Sequence, residues 1–519
     1  MLDFFGFVTR LLSNLANLLI LRLSKYYHTK SWASIRQLSF LVLVFFSWHV
    51  ASSQQMSGLA MSDYAGINAA SLNPSLLVNS EIYFDLNLLA GDIFLQNNFL
   101  FVHKADFRFM DLLKRNPTFP SYDVEGEGLD YKKSLDFINA FEQTDIRGPS
   151  FSIVLDKQAF GFSTRMVTMT SAKNLPGYLG ELMFEGLEYV PLHGIPQDNG
   201  QFDAVSAGWW EMGLSYAREI KQQRWYKWSF GVNLRRLWGY AGAGIVNQNA
   251  KYTVINDSVI NIENLDASLG FSIPVDYDTG DFPDGGATFN GKGTVIDLGV
   301  SYLRKRNVST NRTYKSFCQY EYDDYLYKIG ASITDLGSLV FKENAKNELF
   351  EDASKEWNGI DTLEFVSVND IFQQLSTAFY DDPEASDQGG NFVLGLPATL
   401  SLHADYQYYP NWHLAGLVVL PLRIWDKQLR RPAQALISLR YATPAWEVAL
   451  PVSLYNFKEP RIGLSARYYF LTIGTDKIGG FLGMNDFTGM DFYFSLKFHI
   501  LKGSCGRFKR SSDCSNFNF

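Results

Sequence analysis

His403 and Asp405 stand two residues apart, which is the repeat of an extended chain, so an imidazole and a carboxylate share one face and could offer two ligands to a metal ion. A metal centre needs three or four donors, and no third stands at a sensible spacing, so no metal is expected there. Asp276, Asp278, Gly280 and Asp281, followed by Asp284-Gly285-Gly286, match half of a calcium-loop pattern without its closing Glu; an acidic, glycine-rich surface loop is the simpler meaning. The chain carries no HExxH, GxSxG, P-loop or dinucleotide fingerprint, so neither catalysis nor a bound cofactor is expected. Of the cysteines, Cys505 and Cys514 flank a short polar stretch and could form a local disulfide in an oxidising compartment, with Cys318 left over; spacing leaves the pairing open.

The same two-residue spacing recurs wherever the chain places charge among apolar residues. Glu211, Arg235, Asp297, Lys328, His403, Asp405, Arg440, Glu447, Arg461, Arg467, Asp491 and Lys497 all fall on the polar side of a run whose other side is aliphatic or aromatic. Charges of both signs, held away from bulk water, are expected to pair across a narrow lumen. They would then be either a selectivity lining or, more simply, a network that fills the interior.

Extended strands are the elements that must hold these residues. In 489–500, Phe492, Phe494, Leu496, Phe498 and Ile500 alternate with Asp491, Tyr493, Ser495, Lys497 and His499. The same two faces appear in 81–90, 92–103, 149–156, 159–170, 207–220, 226–240, around 296–302 and 327–334, and in 398–409, 434–441, 446–454 and 461–468, with 470–479 leading to the last run. The run 411–422 is apolar on both faces apart from His413. Most have about the 9–11 residues that a tilted membrane strand needs. Short turns near Lys157, Gln222, Tyr409-Pro410, Thr443-Pro444 and Tyr469 alternate with long connections at 171–206, 241–291 and 337–396, as they would between a periplasmic and an outer rim. A chain with both ends in the periplasm needs an even strand number, so 81–103 is one strand or 81–90 belongs elsewhere. The expected fold is all-β: a transmembrane antiparallel barrel of about 14 strands (12–16) with a small amino-terminal plug.

Composition agrees. Aromatics are 15% of the 519 residues and charged residues 19%, and Trp209, Trp210, Trp225, Trp228, Trp238, Trp412 and Trp446 lie near run ends, where an interfacial girdle would put them. Acids outnumber bases 54 to 46, which leaves no footprint for nucleic acid. Residues 38–50 form an apolar run behind Lys30 and Arg36, too short to span a bilayer, with Ala51-Ser52-Ser53 ahead of Gln54. Residues 1–53 therefore read as a signal peptide with an atypical amino-terminal extension, 54–80 as the plug with its turn at Asn73-Pro74, 81–501 as the barrel and 502–519 as a periplasmic tail.

The stretches Asp63-Tyr-Ala-Gly-Ile-Asn-Ala-Ala-Ser-Leu-Asn-Pro74, Arg147-Gly-Pro-Ser150, Gly330-Ala-Ser-Ile-Thr-Asp-Leu-Gly337, Leu396-Pro-Ala-Thr-Leu400 and Asp491-Phe-Tyr-Phe-Ser-Leu-Lys497 together resemble a Bacteroidetes-type outer-membrane barrel family of unknown function, distantly similar to the fatty-acid transporter and type IX secretion barrel group. The resemblance spans about residues 56–501 and implies a plug around Asn73 and Pro74; it brings no catalytic residue. Two roles follow as expectations in the bacterial outer membrane: uptake or capture of a small apolar molecule, or a non-conducting barrel that holds a protein partner or secreted cargo in its long loops. An open apolar tunnel past the plug would favour the first and a lumen closed by paired charges the second. Lipid is the expected surrounding partner, and the oligomeric state is left open.

Overall fold

Successive side chains of an extended strand alternate between two faces, and the computed structural model shows strands of this kind closing into a ring. It describes residues 60–104, 129–278, 289–306, 325–360, 367–482 and 484–502. Fourteen antiparallel strands form the ring. They are β1 (Ile82–Asn97), β2 (Phe137–Arg147 continued by Ser150–Leu155), β3 (Gln158–Pro176), β4 (Phe202–Gln222), β5 (Tyr226–Val254), β6 (Gly291–Lys305) and β7 (Tyr325–Phe341). The second half holds β8 (Phe392–Gly395 continued by Thr399–Tyr409), β9 (Trp412–Pro421), β10 (Gln434–Ala442), β11 (Trp446–Tyr455), β12 (Glu459–Ile462 continued by Leu464–Tyr468), β13 (Leu471–Thr475) and β14 (Asp491–Leu501). β14 closes on β1, from Ile82 opposite Leu501 to Phe94 opposite Asp491.

β11 shows the two faces most plainly. Trp446, Val448, Leu450, Val452 and Leu454 are exposed, while Glu447, Ala449, Ser453 and Tyr455 are buried. Exposed Leu214, Leu234, Ile296, Ile437 and Ile473 continue the apolar band, far more than a soluble monomer leaves in water. No helix among the described residues is long and apolar enough to cross a membrane. A closed ring with its oily side outward is the fold of an outer-membrane β-barrel.

Residues 81–103 do contain a single ring strand, β1, so the ring has an even number of strands. Four expectations need correction. The first half of β2, Phe137–Arg147, was not anticipated: buried Ile138 and Phe141 and exposed Phe137 and Ile146 are interspersed with Asn139, Glu142, Gln143, Thr144 and Asp145, so no clean alternation shows. The connection 241–291 is not a plain loop, because β5 runs on to Val254 and the strand Val259–Ser272 pairs beside it. The connection 337–396 likewise holds the strand Lys346–Asn358, paired with Val259–Ser272, and the helix Val368–Tyr380. These pieces extend the sheet beyond the ring, and the helix covers buried Phe271 and Phe350 with half-buried Phe372 and Phe379. Finally, Trp209 is not a girdle residue; it is buried inside the barrel with its indole N–H donating to Glu211 Oε2 at 3.0 Å.

Candidate functional site

Residues 60–80 are almost wholly buried, although they belong to no ring strand. Two short 3-10 turns, Gly66–Ser71 and Pro74–Leu76, shape them. Pro74 suits the first position of the second turn because its fixed φ needs no N–H there, and the Asn73 side chain caps the same turn by accepting from Ser75 N at 2.9 Å. Asn73 Nδ2 donates to the carbonyls of Val300 (3.1 Å) and Ala331 (3.2 Å) on β6 and β7. Asn233 on β5 donates to Ala70 O, Ser332 on β7 to Leu72 O, Arg440 on β10 to Met61 O and Lys497 on β14 to Tyr64 O. Ser62 Oγ donates to Glu447 on β11. Bonds from so many sides put the segment across the lumen. Its apolar side chains pack on Ala415, Leu417, Val419 and Leu436, which explains why β9 is apolar on its inner face too. The wall makes room with glycine. A Cβ on Gly231 would lie 2.3 Å from Ser75 N, and one on Gly299 2.0 Å from Asn73 Oδ1.

Two ion-pair networks flank this segment. In the first, Arg235 reaches Glu211 (3.0 Å), Asp297 (2.6 Å) and Asp335 (2.7 Å), while Arg165 bridges Glu211 (3.3 Å) to Asp145 (2.8 Å), which also holds Arg147 (3.0 Å). Arg147 in turn donates to Asn68 Oδ1 at 3.2 Å. In the second, Asp63 accepts from Lys328 (2.7 Å) and Arg440 (3.4 Å), Arg440 reaches Asp405 (2.6 Å) and Glu447 (3.5 Å), and Arg467 also holds Glu447 (3.3 Å). Such pairs are worth little when wet, but buried ones strongly resist losing a partner.

Directly outward of the first network the lumen turns apolar. Val167 and Met169 follow Arg165 on β3, Trp209 precedes Glu211 on β4, Leu237 follows Arg235 on β5, and Val295 precedes Asp297 on β6, each two or four residues along on the same inner face. With Phe94, Phe141, Leu339, Phe341 and Phe392 they form one buried cluster. Leu429, wholly buried in it, belongs to the connection 422–433 between β9 and β10. Arg430 of that connection pairs with Asp203 on β4 (2.8 Å) and Arg431 with Asp335 on β7 (3.3 Å), and Arg430 N donates to Ser171 on β3. Since β3 and β4 lie five to seven places round the ring from β9 and β10, the connection must fold into the barrel and cross it. Between this connection and residues 60–80 lies a cavity of about 40 Å³, lined among others by Asn68, Asp145, Arg147, Arg165, Arg235 and Arg431, with room for little more than water.

The residue model of the Family of unknown function (DUF5723) matches residues 74–476. The chain belongs to that family. The match takes in Pro74, Arg147–Ser150, Gly330–Gly337 and Leu396–Leu400, so three of the motif stretches fall inside the family region. Comparison with curated proteins returns no match. Among solved structures, the chain is similar to a Pseudomonas aeruginosa FadL homologue (12% identity, 86% of this chain and 98% of that one, TM-score 0.40) and to the P. putida toluene transporter TodX (11% identity, 87% and 99%, TM-score 0.38). It is also similar to the translocator domain of the autotransporter NalP from Neisseria meningitidis (6% identity, 80% and 88%, TM-score 0.28). Neither the identities nor the scores carry a function across.

For this family member, each inner-face charge named from the sequence is buried. Glu211, Arg235 and Asp297 meet in the first network, and Lys328, Asp405, Arg440, Glu447 and Arg467 in the second. Lys497 pairs with Asp85 at 3.6 Å. Arg461 belongs to neither network: it pairs with Glu459 at 3.6 Å, and its guanidinium lies 3.8 Å from the Tyr455 ring centroid. His403 joins neither network. The metal-like triad that does form is Asp63, Asp405 and His413, with ligand atoms within 4.8 Å of one another. Lys328 and Arg440 already occupy its carboxylates, so the cluster is charge-compensated without an ion. Sequence reasoning passed over Asp145, Arg147, Arg165, Asp335 and Arg431 as site residues. Arg147 and Asp335 stood inside quoted motifs and Arg165 on an alternating run, but Arg431 lies in a connection with no periodic signal. Outside the strands, burial and then Arg461 push the Lys477 ammonium down to about 7, while it donates to Gln96 and Thr488. Residues 1–59, Cys318, Cys505, Cys514 and Gly280–Gly286 of the acidic loop lie outside the described residues.

Proposed function

We propose that this outer-membrane barrel takes up or captures a small apolar molecule in the outer half of its lumen and that the structure is its closed state. The observation that supports this most is the apolar layer of Phe94, Phe141, Leu237, Phe341 and Phe392 inside the barrel, where a water-filled pore would be polar, covered by a connection instead of a wall strand. Residues 54–80 act as the plug and the charge networks hold it. Residues 60–80 are buried and bonded to strands on several sides of the lumen, a closure that passage must undo by moving the connection 422–433 and then the plug. A second reading is favoured by that closure: a non-conducting barrel that binds a partner through the projecting strands Val259–Ser272 and Lys346–Asn358. Lipid extraction and mass spectrometry of the purified protein, with single-channel conductance, separate the two. An apolar molecule that co-purifies, or ligand-dependent conductance, is expected; the absence of both rejects uptake and leaves partner binding. No catalytic role is proposed.

The attribution to a Bacteroidetes-type source belongs to the same reading and is supported by the motif stretches. Export is part of it as well, with residues 1–53 removed and 502–519 left as a periplasmic tail. Amino-terminal sequencing of the mature protein from membranes is expected to begin at Gln54. A mature chain that retains residues 38–50 would mean that this run is an anchor.

A further inference from the structure

The short-turn rim carries a feature that neither the plug nor the lumen uses. Trp225, in the turn between β4 and β5 and 43% exposed, carries two guanidiniums against its ring, Arg224 at 5.8 Å and Arg304 at 5.5 Å from the centroid. Arg304 is on the outward face of β6, in step with exposed Ile296, Leu298 and Val300. Beside it an aromatic platform runs over three strands: Tyr302 stacks on Tyr226 at 5.7 Å and meets Trp228 at 5.0 Å and Tyr327 at 6.0 Å. Arg218 and Lys221, at the same end of β4, are exposed too. Among the described residues none of these four cations has an ion-pair partner. Glu219, the nearest acid in sequence, is instead taken by buried Lys227 at 2.9 Å.

The start of β1, the end of β14 and the short turns lie on this side, so the rim faces the periplasm. An aromatic belt there marks the level of lipid headgroups, where water is scarce enough that unpaired guanidiniums seek an anion. Two planar forks held on one indole suit a phosphate, and exposed Leu214, Ile220 and Phe230 offer apolar surface to the acyl chains. We propose that Arg224, Trp225 and Arg304 form a site for the phosphate headgroup of an anionic phospholipid of the inner leaflet, with Arg218 and Lys221 adding to the field. This rests on the outer-membrane reading but not on what occupies the lumen.

Native mass spectrometry of the full-length barrel, released from micelles that contain equal phosphatidylglycerol and phosphatidylcholine, tests it. Preferential retention of phosphatidylglycerol is expected, and the double variant Arg224→Gln/Arg304→Gln should weaken it about thirtyfold. Arg423→Gln, at the opposite rim, should leave it unchanged. Equal retention of both lipids, an unaffected double variant, or equal loss with Arg423→Gln overturns the site. Displacement of the lipid by millimolar inorganic phosphate would make it a free-phosphate site and also overturn the proposal. Failure of the wild-type barrel to insert into vesicles of either lipid would instead sink the outer-membrane reading beneath it.

Discussion

Replacing Arg235 with alanine is expected to lower the unfolding free energy of the barrel by about 3–5 kcal/mol, the range for removing one member of a buried ionic network. Its guanidinium is the meeting point of Glu211, Asp297 and Asp335, at 3.0, 2.6 and 2.7 Å. Glu211 would keep Arg165 and Asp335 would keep Arg431, but Asp297 would retain only the Asn233 side chain and the Asp335 N–H. A carboxylate buried with hydrogen bonds and no cation is what makes the loss large. Arg235→Lys should recover only part of it, because an ammonium cannot serve three acids in a plane. Urea unfolding of the refolded barrel, followed by tryptophan fluorescence, measures this. A change below about 1 kcal/mol would mean that water reaches these acids and that the lumen is wetter than its packing implies.

Gly299→Val is expected to act on the plug from the wall. The added Cβ would stand 2.0 Å from Asn73 Oδ1 and 3.0 Å from Pro74 Cδ, so Asn73 must give up its bonds to Val300 O and Ala331 O and its cap on Ser75. Overpacking of this kind costs roughly 1–3 kcal/mol. The larger effect should be on closure: planar-bilayer recordings of the variant should show openings where the wild type is silent. Gly416→Ala on β9 is the control, since its Cβ would come no nearer than 3.8 Å to Leu436 O. If Gly299→Val is as silent and as stable as wild type, Asn73 and Pro74 do not seal the lumen.

The ring strands were legible where one face met lipid and the other met small or charged residues, as in β11 and β14. Legibility failed for two reasons. Phe137–Arg147 mixes Asn139, Glu142, Gln143, Thr144 and Asp145 with its apolar residues and shows no clean period, while the inner face of β9 is apolar because it packs on residues 60–80, which the lone sequence cannot distinguish from a face pressed on lipid. Val259–Ser272 and Lys346–Asn358 lie beyond the bilayer, so their strands need no oily side and leave little alternation to read.

The amino-acid order alone was enough to set the barrel fold and the two-faced character of most of its strands, because the surroundings on each side of a one-layer wall act on every second residue independently. Which acid meets which base was settled only in the closed barrel. Asp63 meets Lys328 and Arg440, and Arg431 meets Asp335, across separations in sequence that no local rule bridges. The inward fold of 422–433 and the apolar layer that it covers belong to the same class. They arise from packing around a shared interior, and that volume does not exist until the last strand has joined the first.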